Sequence, residues 1–162
     1  MDAPTDSNFL SVNKFQVAIA RFPNVQFYAQ SAPLPGFTIN SVYMPTGSAT
    51  SYYEIGDKIL FNEFEIQFIL DKEMQTLREL LKWSIQSQIK SRKNFNPFSD
   101  MTILALTNNS NPNFLFKIHT AFPYILSDVD FSTKKSADQP VTMTVGFKYS
   151  HYSLDSDNDG NL

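Results

Sequence analysis

The sequence predicts a mainly β fold, an antiparallel β-sandwich or barrel carrying one α-helix at about residues 71–90. Three observations predict it. Aromatic residues make up 14% of the 162-residue chain, and such side chains suit a pleated, half-buried surface better than a helix. Several segments alternate apolar and polar residues with period two, the mark of a strand with one buried face. One segment alone combines helical spacing with helix-end signals. The length suggests a single domain, one that buries roughly two-thirds of the surface exposed by its unfolded chain.

The elements follow in order. Phe15, Val17 and Ile19 alternate with Gln16, Ala18 and Ala20, which predicts a strand. Pro23-Asn24 turns the chain, Val25 to Ala32 reads as a second strand, and Pro33-Leu34-Pro35-Gly36 ends it, so the two strands read as an opening hairpin. A third strand is predicted from Phe37 to Met44, stopped by Pro45-Thr46-Gly47. Pro45 to Gly56 is too long for a tight turn and too aromatic for a flexible linker. Asn62 to Leu70 alternates cleanly and reads as strand.

The helix is predicted from Asp71 as N-cap, with Glu73 in the first turn and Met74, Leu77, Leu81, Ile85 and Ile89 as its apolar face. Pro97 closes the following segment. Met101 to Thr107 fits a central strand and Phe114 to His119 continues as strand. Ala121-Phe122-Pro123 reads as a break, and Val129 and Phe131 alternate against Asp128, Asp130 and Ser132. The last strand puts Val141, Met143, Val145, Phe147 and Tyr149 on one face. The expected organisation is one domain over 1–154, containing a long hairpin loop at 45–61, and a flexible acidic tail at 155–162.

Charge and motifs exclude several functions. The net charge of −3 gives no bulk attraction to nucleic acid, which needs clustered Lys and Arg. Without cysteine, stapled folds are excluded. The polar N-terminus lacks the basic and apolar regions of a signal peptide, and no window approaches the roughly 18 apolar residues of a membrane span. A soluble chain made in a cytoplasm is expected. Nucleophilic catalysis requires an oriented base, and the histidines are His119 and His151; no serine lies in a Gly-x-Ser-x-Gly elbow. Gly47, Gly56 and Gly146 are too isolated for a phosphate loop. No enzyme, cofactor or metal is expected. Asp155, Asp157, Asp159 and Gly160 match the start of a calcium loop, but the glutamate that completes such a loop is missing, so the segment reads as a solvated acidic tail. Lys82, Lys90, Arg92 and Lys93 either complement the helix dipole or meet an acidic partner.

Taken together, four segments resemble the tail tube proteins of contractile-tailed bacteriophages, a fold shared with the Hcp ring protein of type VI secretion. Phe15-Gln16-Val17 and the strand into Leu34-Pro35-Gly36 look like the family's opening hairpin. Met44-Pro45 through Gly56-Asp57-Lys58 into Phe61 resembles its long hairpin, closed by a Gly-Asp-basic turn. Phe64-Glu65-Ile66-Gln67-Phe68, Asp71-Lys72-Glu73 and Trp83 resemble its strand, acidic helix start and helical tryptophan. Ala121-Phe122-Pro123 and the run to Phe147-Lys148-Tyr149 look like its Phe/Trp-Pro break and aromatic last strand. Order and spacing, rather than any one motif, carry the likeness.

The resemblance implies a homohexameric ring stacked into the tail tube of a virion and assembled in a host cytoplasm. Its implied partners are the tail sheath, the tape measure protein and the baseplate tube initiator, and double-stranded DNA passes through without tight binding. Pro45, Tyr52, Tyr53, Ile55, Asp57 and Lys58 become the expected inter-subunit interface. From the residues alone, the same hairpin reads equally as a surface loop folded back on its own core. Lys90, Arg92 and Lys93 are the expected sheath-facing residues, and Thr142 and Thr144 the expected lumen-facing ones. A tube terminator or initiator and an Hcp-like secretion ring share the fold. A monomeric ligand-binding sandwich is the alternative from another class, and would need a concave polar site.

Overall fold

A computed structural model describes residues 13–23, 29–47, 50–88, 96–106, 112–132 and 139–156. Among them lie nine strands and one helix: β1 (Phe15–Ile19), β2 (Ala29–Ser31), β3 (Phe37–Met44), β4 (Tyr52–Phe61), β5 (Phe64–Ile69), α1 (Gln75–Gln88), β6 (Ser99–Leu106), β7 (Pro112–Leu126), β8 (Thr142–Lys148) and β9 (His151–Ser156). The expected antiparallel β fold with one helix is what forms. Strands follow the order β1-β6-β7-β8-β5-β2, with β9 also on β7, while β3 and β4 make a separate two-stranded sheet.

The core comes from the period-two faces. Val17 and Ile19 of β1, Phe64, Ile66 and Phe68 of β5, Met101 and Ile103 of β6, and Met143, Val145 and Phe147 of β8 are buried together. They meet between two layers that share β7. Its first half pairs with β6 and β9, and its second half pairs with β8. The change of layer happens at Thr120, which sits at φ 54°, a costly angle for a β-branched residue. Asp100 and Ser150 hold that corner. The Thr120 N–H donates to Asp100 Oδ1 at 3.1 Å, and the Thr120 hydroxyl donates to Ser150 Oγ at 2.5 Å.

Several expectations are corrected here. β1 and β2 form no hairpin, because β1 pairs with β6 and β2 with β5. Phe22 packs against Trp83 at 5.7 Å, which anchors the chain after β1 at the core. Ala121-Phe122-Pro123 does not end a strand; β7 runs through it. Pro123 sits beside a register shift, in a half of β7 that among the described residues pairs with β8 alone, the kind of irregular, one-sided position at which a strand tolerates proline. A further strand, β9, follows the expected last one and carries the ladder through Asp155 and Ser156, opposite Leu115 and Phe114. It therefore extends two residues into the segment expected to be tail. The structure assigns no strand to residues 127–132.

The helix starts four residues later than expected. Asp71 still caps it, its carboxylate accepting the N–H groups of Gln75 and Thr76 at 3.2 and 3.4 Å. Desolvation raises the Asp71 pKa, but the backbone N–H bonds together outweigh it and hold the carboxyl below its usual value. The buried face is Thr76, Leu80 and Trp83, not the expected Leu81 and Ile85, which are 47% and 54% exposed. Trp83 decides the rotation, since it offers the largest apolar surface and a polar N–H that must find a partner when buried. Its Nε1 donates to the Pro97 carbonyl at 2.7 Å, and its ring packs on Phe147 at 6.0 Å. No helix among the described residues is long and apolar enough to cross a membrane.

Candidate functional site: the apolar hairpin

The β3–β4 hairpin is built from strand formers rather than loop residues. The sequence places Ile39, Val42 and Tyr43 in β3 and Tyr52, Tyr53, Ile55, Ile59 and Leu60 in β4, all residue types favoured in strands. Its tip is tied by a hydrogen bond from the Thr46 hydroxyl to the Thr50 carbonyl and another from the Tyr43 hydroxyl to Ser51 Oγ at 2.6 Å. Tyr43 and Tyr53 meet edge to face at 5.4 Å. What sequence reading treats as a loop at 45–61 is therefore mostly one strand of a ladder.

Gly56-Asp57-Lys58 is not the expected turn. The ladder passes from Ile39↔Ile59 to Ser41↔Ile55, so these three residues of β4 oppose Asn40 alone as a bulge. Gly56 serves close approach here. A Cβ at this position would lie 2.6 Å from the Asn40 carbonyl oxygen and 2.9 Å from its carbon, and a backbone cannot swing aside.

Both faces of the hairpin are apolar and uncovered. Following the register, Phe37, Ile39 and Tyr43 share one face with Tyr53, Ile55 and Ile59, while Val42 and Met44 share the other with Tyr52 and Leu60. Each of these ten side chains is exposed, Tyr53 at 71% and Ile55 at 86%. A soluble monomer rarely leaves so large a contiguous apolar surface in water, and patches of that kind mark binding surfaces. A two-stranded sheet is also marginal by itself. The expected anchors Tyr52, Tyr53 and Ile55 lie in this patch; Pro45 begins its tip, and Asp57 and Lys58 project at the bulge, all exposed.

Sequence reading missed Phe37, Ile39, Val42, Tyr43, Ile59 and Leu60. The signal was present in Ile59-Leu60-Phe61 and in Val42-Tyr43-Met44, where consecutive apolar residues mean that a strand needs cover on both faces.

The other expected residues lie apart from the hairpin. Thr142 and Thr144 are half-buried on the outer face of β8, where Gln67 Nε2 donates to Thr142 Oγ1 at 3.2 Å. The Thr144 N–H donates to Ser127 Oγ at 2.9 Å. Lys90, Arg92 and Lys93 fall outside the described residues. His119 and His151 are cross-strand partners with rings stacked at 4.6 Å. Each shares a bond with a serine, His119 Nε2 with Ser153 and His151 Nδ1 with Ser150.

At the hairpin base, Phe61 packs on Tyr149 at 5.9 Å and Tyr152 at 5.4 Å. The Tyr149 hydroxyl is buried and has no hydrogen-bond partner among the described residues. Burial, with the nearby Tyr152, pushes its pKa up to about 12.

Residues 5–155 match a family model described as phage tail tube protein. By sequence, no curated protein matches the chain. Among solved structures, a chain of the PVC sheath–tube complex, an extracellular contractile injection system in its extended state, is similar at TM-score 0.72 and 10% identity, with 93% of each chain covered. A chain of the anti-feeding prophage baseplate is similar at 0.68 and 12% identity, covering 98% of this chain and 99% of the other. Hcp1 from Salmonella typhimurium is similar at 0.53 and 9% identity, covering 91% and 88%.

Proposed function

The chain belongs to the phage tail tube protein family, and on that premise we propose that it is the tube subunit of a contractile tail, forming homohexameric rings that stack into the channel for DNA ejection. The observation that carries this reading is the β3–β4 hairpin, apolar on both faces and projecting from a core that is complete without it. In a ring, a neighbouring subunit covers such a hairpin, burying Tyr52, Tyr53 and Ile55 as anchors with Pro45, Asp57 and Lys58 around them. Joining strands between neighbours also removes the free sheet edges of a lone subunit.

The remaining assignments follow from this arrangement. The polar outer face of β8, with Thr142 and Thr144, lines the lumen and meets first the tape measure protein and then the DNA. Six copies at −3 each give a ring of about −18, which discourages phosphate from adhering. Lys90, Arg92 and Lys93 face the sheath, and the first ring is laid on the baseplate initiator. The protein acts by assembly rather than catalysis, as part of a virion assembled in the host cytoplasm.

Deleting residues 46–55 tests the reading, because it removes the anchors and leaves every core strand in place. The deletion variant is expected to keep a cooperative melt and to sediment as a monomer under conditions where the full chain forms large assemblies. A deletion variant that still assembles would overturn the interface assignment.

A further inference from the structure

Among the described residues, the hairpin shares no ladder with the two layers of the core. Backbone closes its base through the Asn62 N–H, which donates to the Gly36 carbonyl at 2.9 Å, but that bond joins the hairpin's own two legs. Its direction relative to the core is therefore set by the short links at its base, one of them holding the buried Pro35, and by the side chains around them. On one side stands the Phe61 contact with Tyr149 and Tyr152. On the other stands Glu63, in the two-residue link between β4 and β5.

Glu63 is bracketed from two strands of the core. Extending the Phe64↔Phe147 register by one residue puts it opposite Lys148, and Lys148 Nζ lies 3.0 Å from Glu63 Oε1. The Tyr124 hydroxyl, from β7, donates to the same carboxylate, and this bond is the largest of the effects that hold the Glu63 pKa below its usual value. Lys148 Nζ also sits 4.8 Å from the centroid of the Tyr124 ring. An exposed ion pair alone contributes little. Here three groups from three elements close on one another, so each fixes the geometry of the other two.

We infer that Glu63 is a positioning residue, bracketed by Lys148 and Tyr124 so that the free subunit already holds its hairpin in the direction in which it docks on a neighbour. This deepens the tube reading and rests on it for the docking step. A hairpin held in place loses less conformational freedom on docking, which favours assembly without adding any contact at the interface.

The chain has no cysteine, so two spin labels can be placed cleanly. Gly47→Cys at the hairpin tip has open space around the new side chain, and Lys117→Cys lies on the exposed face of β7. Double electron–electron resonance on the monomeric pool of this pair should give a narrow distance distribution. Adding Glu63→Gln or Tyr124→Phe should broaden it about twofold and slow tube growth, with the melting temperature nearly unchanged because the altered groups are exposed. An unchanged width in both variants overturns the bracket. A broadened distribution with unchanged growth rate overturns its role in docking. If the parent chain forms no tubes at all, the tube reading fails, while the distance distributions still decide whether Glu63 sets the hairpin's direction.

Discussion

Leu80 and Leu81 are adjacent in sequence and opposite in fate, which makes them a sharp test of how α1 is seated. Leu80 is fully buried in the core cluster, whereas Leu81 is 47% exposed. Leu80→Ala removes three side-chain carbons from a packed interior and leaves a cavity, a change that costs about 2–5 kcal/mol. In a chain of this length each kcal/mol shifts the melting temperature by about 2–4 °C, so a loss of roughly 4–20 °C is expected. Leu81→Ala gives up about half of one leucine's burial and gains a little helix propensity, so its net cost should stay below about 1 kcal/mol. Urea melts followed by circular dichroism would read both variants, with slopes unchanged if neither alters the denatured state. Equal costs, or a larger cost for Leu81→Ala, would refute the assigned face and restore the stripe of Met74, Leu77, Leu81 and Ile85 as the buried one.

Three further outcomes follow. Asp71→Ala should cost about 1 kcal/mol through loss of the N-cap. Because the folded Asp71 pKa is depressed, the cap's stability is present above the unfolded value near 4 and lost as pH falls through the folded one. The gap between parent and variant should accordingly begin to narrow below about pH 4 and close as pH falls through the folded value. Tyr149→Phe removes a buried hydroxyl with no partner among the described residues and should leave stability unchanged or raise it by up to about 1 kcal/mol. Since the folded Tyr149 pKa is raised to about 12, the unfolded chain ionises first. The parent should then lose stability above about pH 10, and an ultraviolet titration should show one late-ionising tyrosine that the variant lacks. Gly56→Ala drives a methyl group into the Asn40 backbone, so it should abolish assembly while the core melts nearly as before; normal assembly by this variant would show that the bulge geometry is dispensable.

How far the sequence foretells this protein depends on whether the deciding interactions are local. β5 and β8 were legible because Phe64-Ile66-Phe68 and Met143-Val145-Phe147 each bury one face, and the period-two pattern reports that directly. Asp71 was legible as a cap because its partners lie four and five residues away. The seating of α1 was not, since two apolar stripes compete on the helix and Trp83 wins through Phe22, Phe147 and Pro97, all distant in sequence. The partnering of β1 with β6 was hidden for the same reason. Pro123 reads as a break because the sequence does not reveal the register shift beside it, or that this half of β7 pairs with β8 alone among the described residues. In the hairpin, Tyr52, Tyr53 and Ile55 stand out in sequence as large apolar side chains in a segment that reads as loop, and the structure leaves them exposed, while Gly56 reads as a turn because a glycine required for close approach looks the same in sequence as one required for a bend.

Negative-stain electron microscopy of the purified chain, with mass measured on the same sample, tests the central claim most directly. A tube subunit should give rings with sixfold end-on views, stacked into tubes of uniform diameter, and a mass that is a multiple of six subunits. A chain that stays monomeric at every concentration, with its apolar hairpin still uncovered, would contradict that claim.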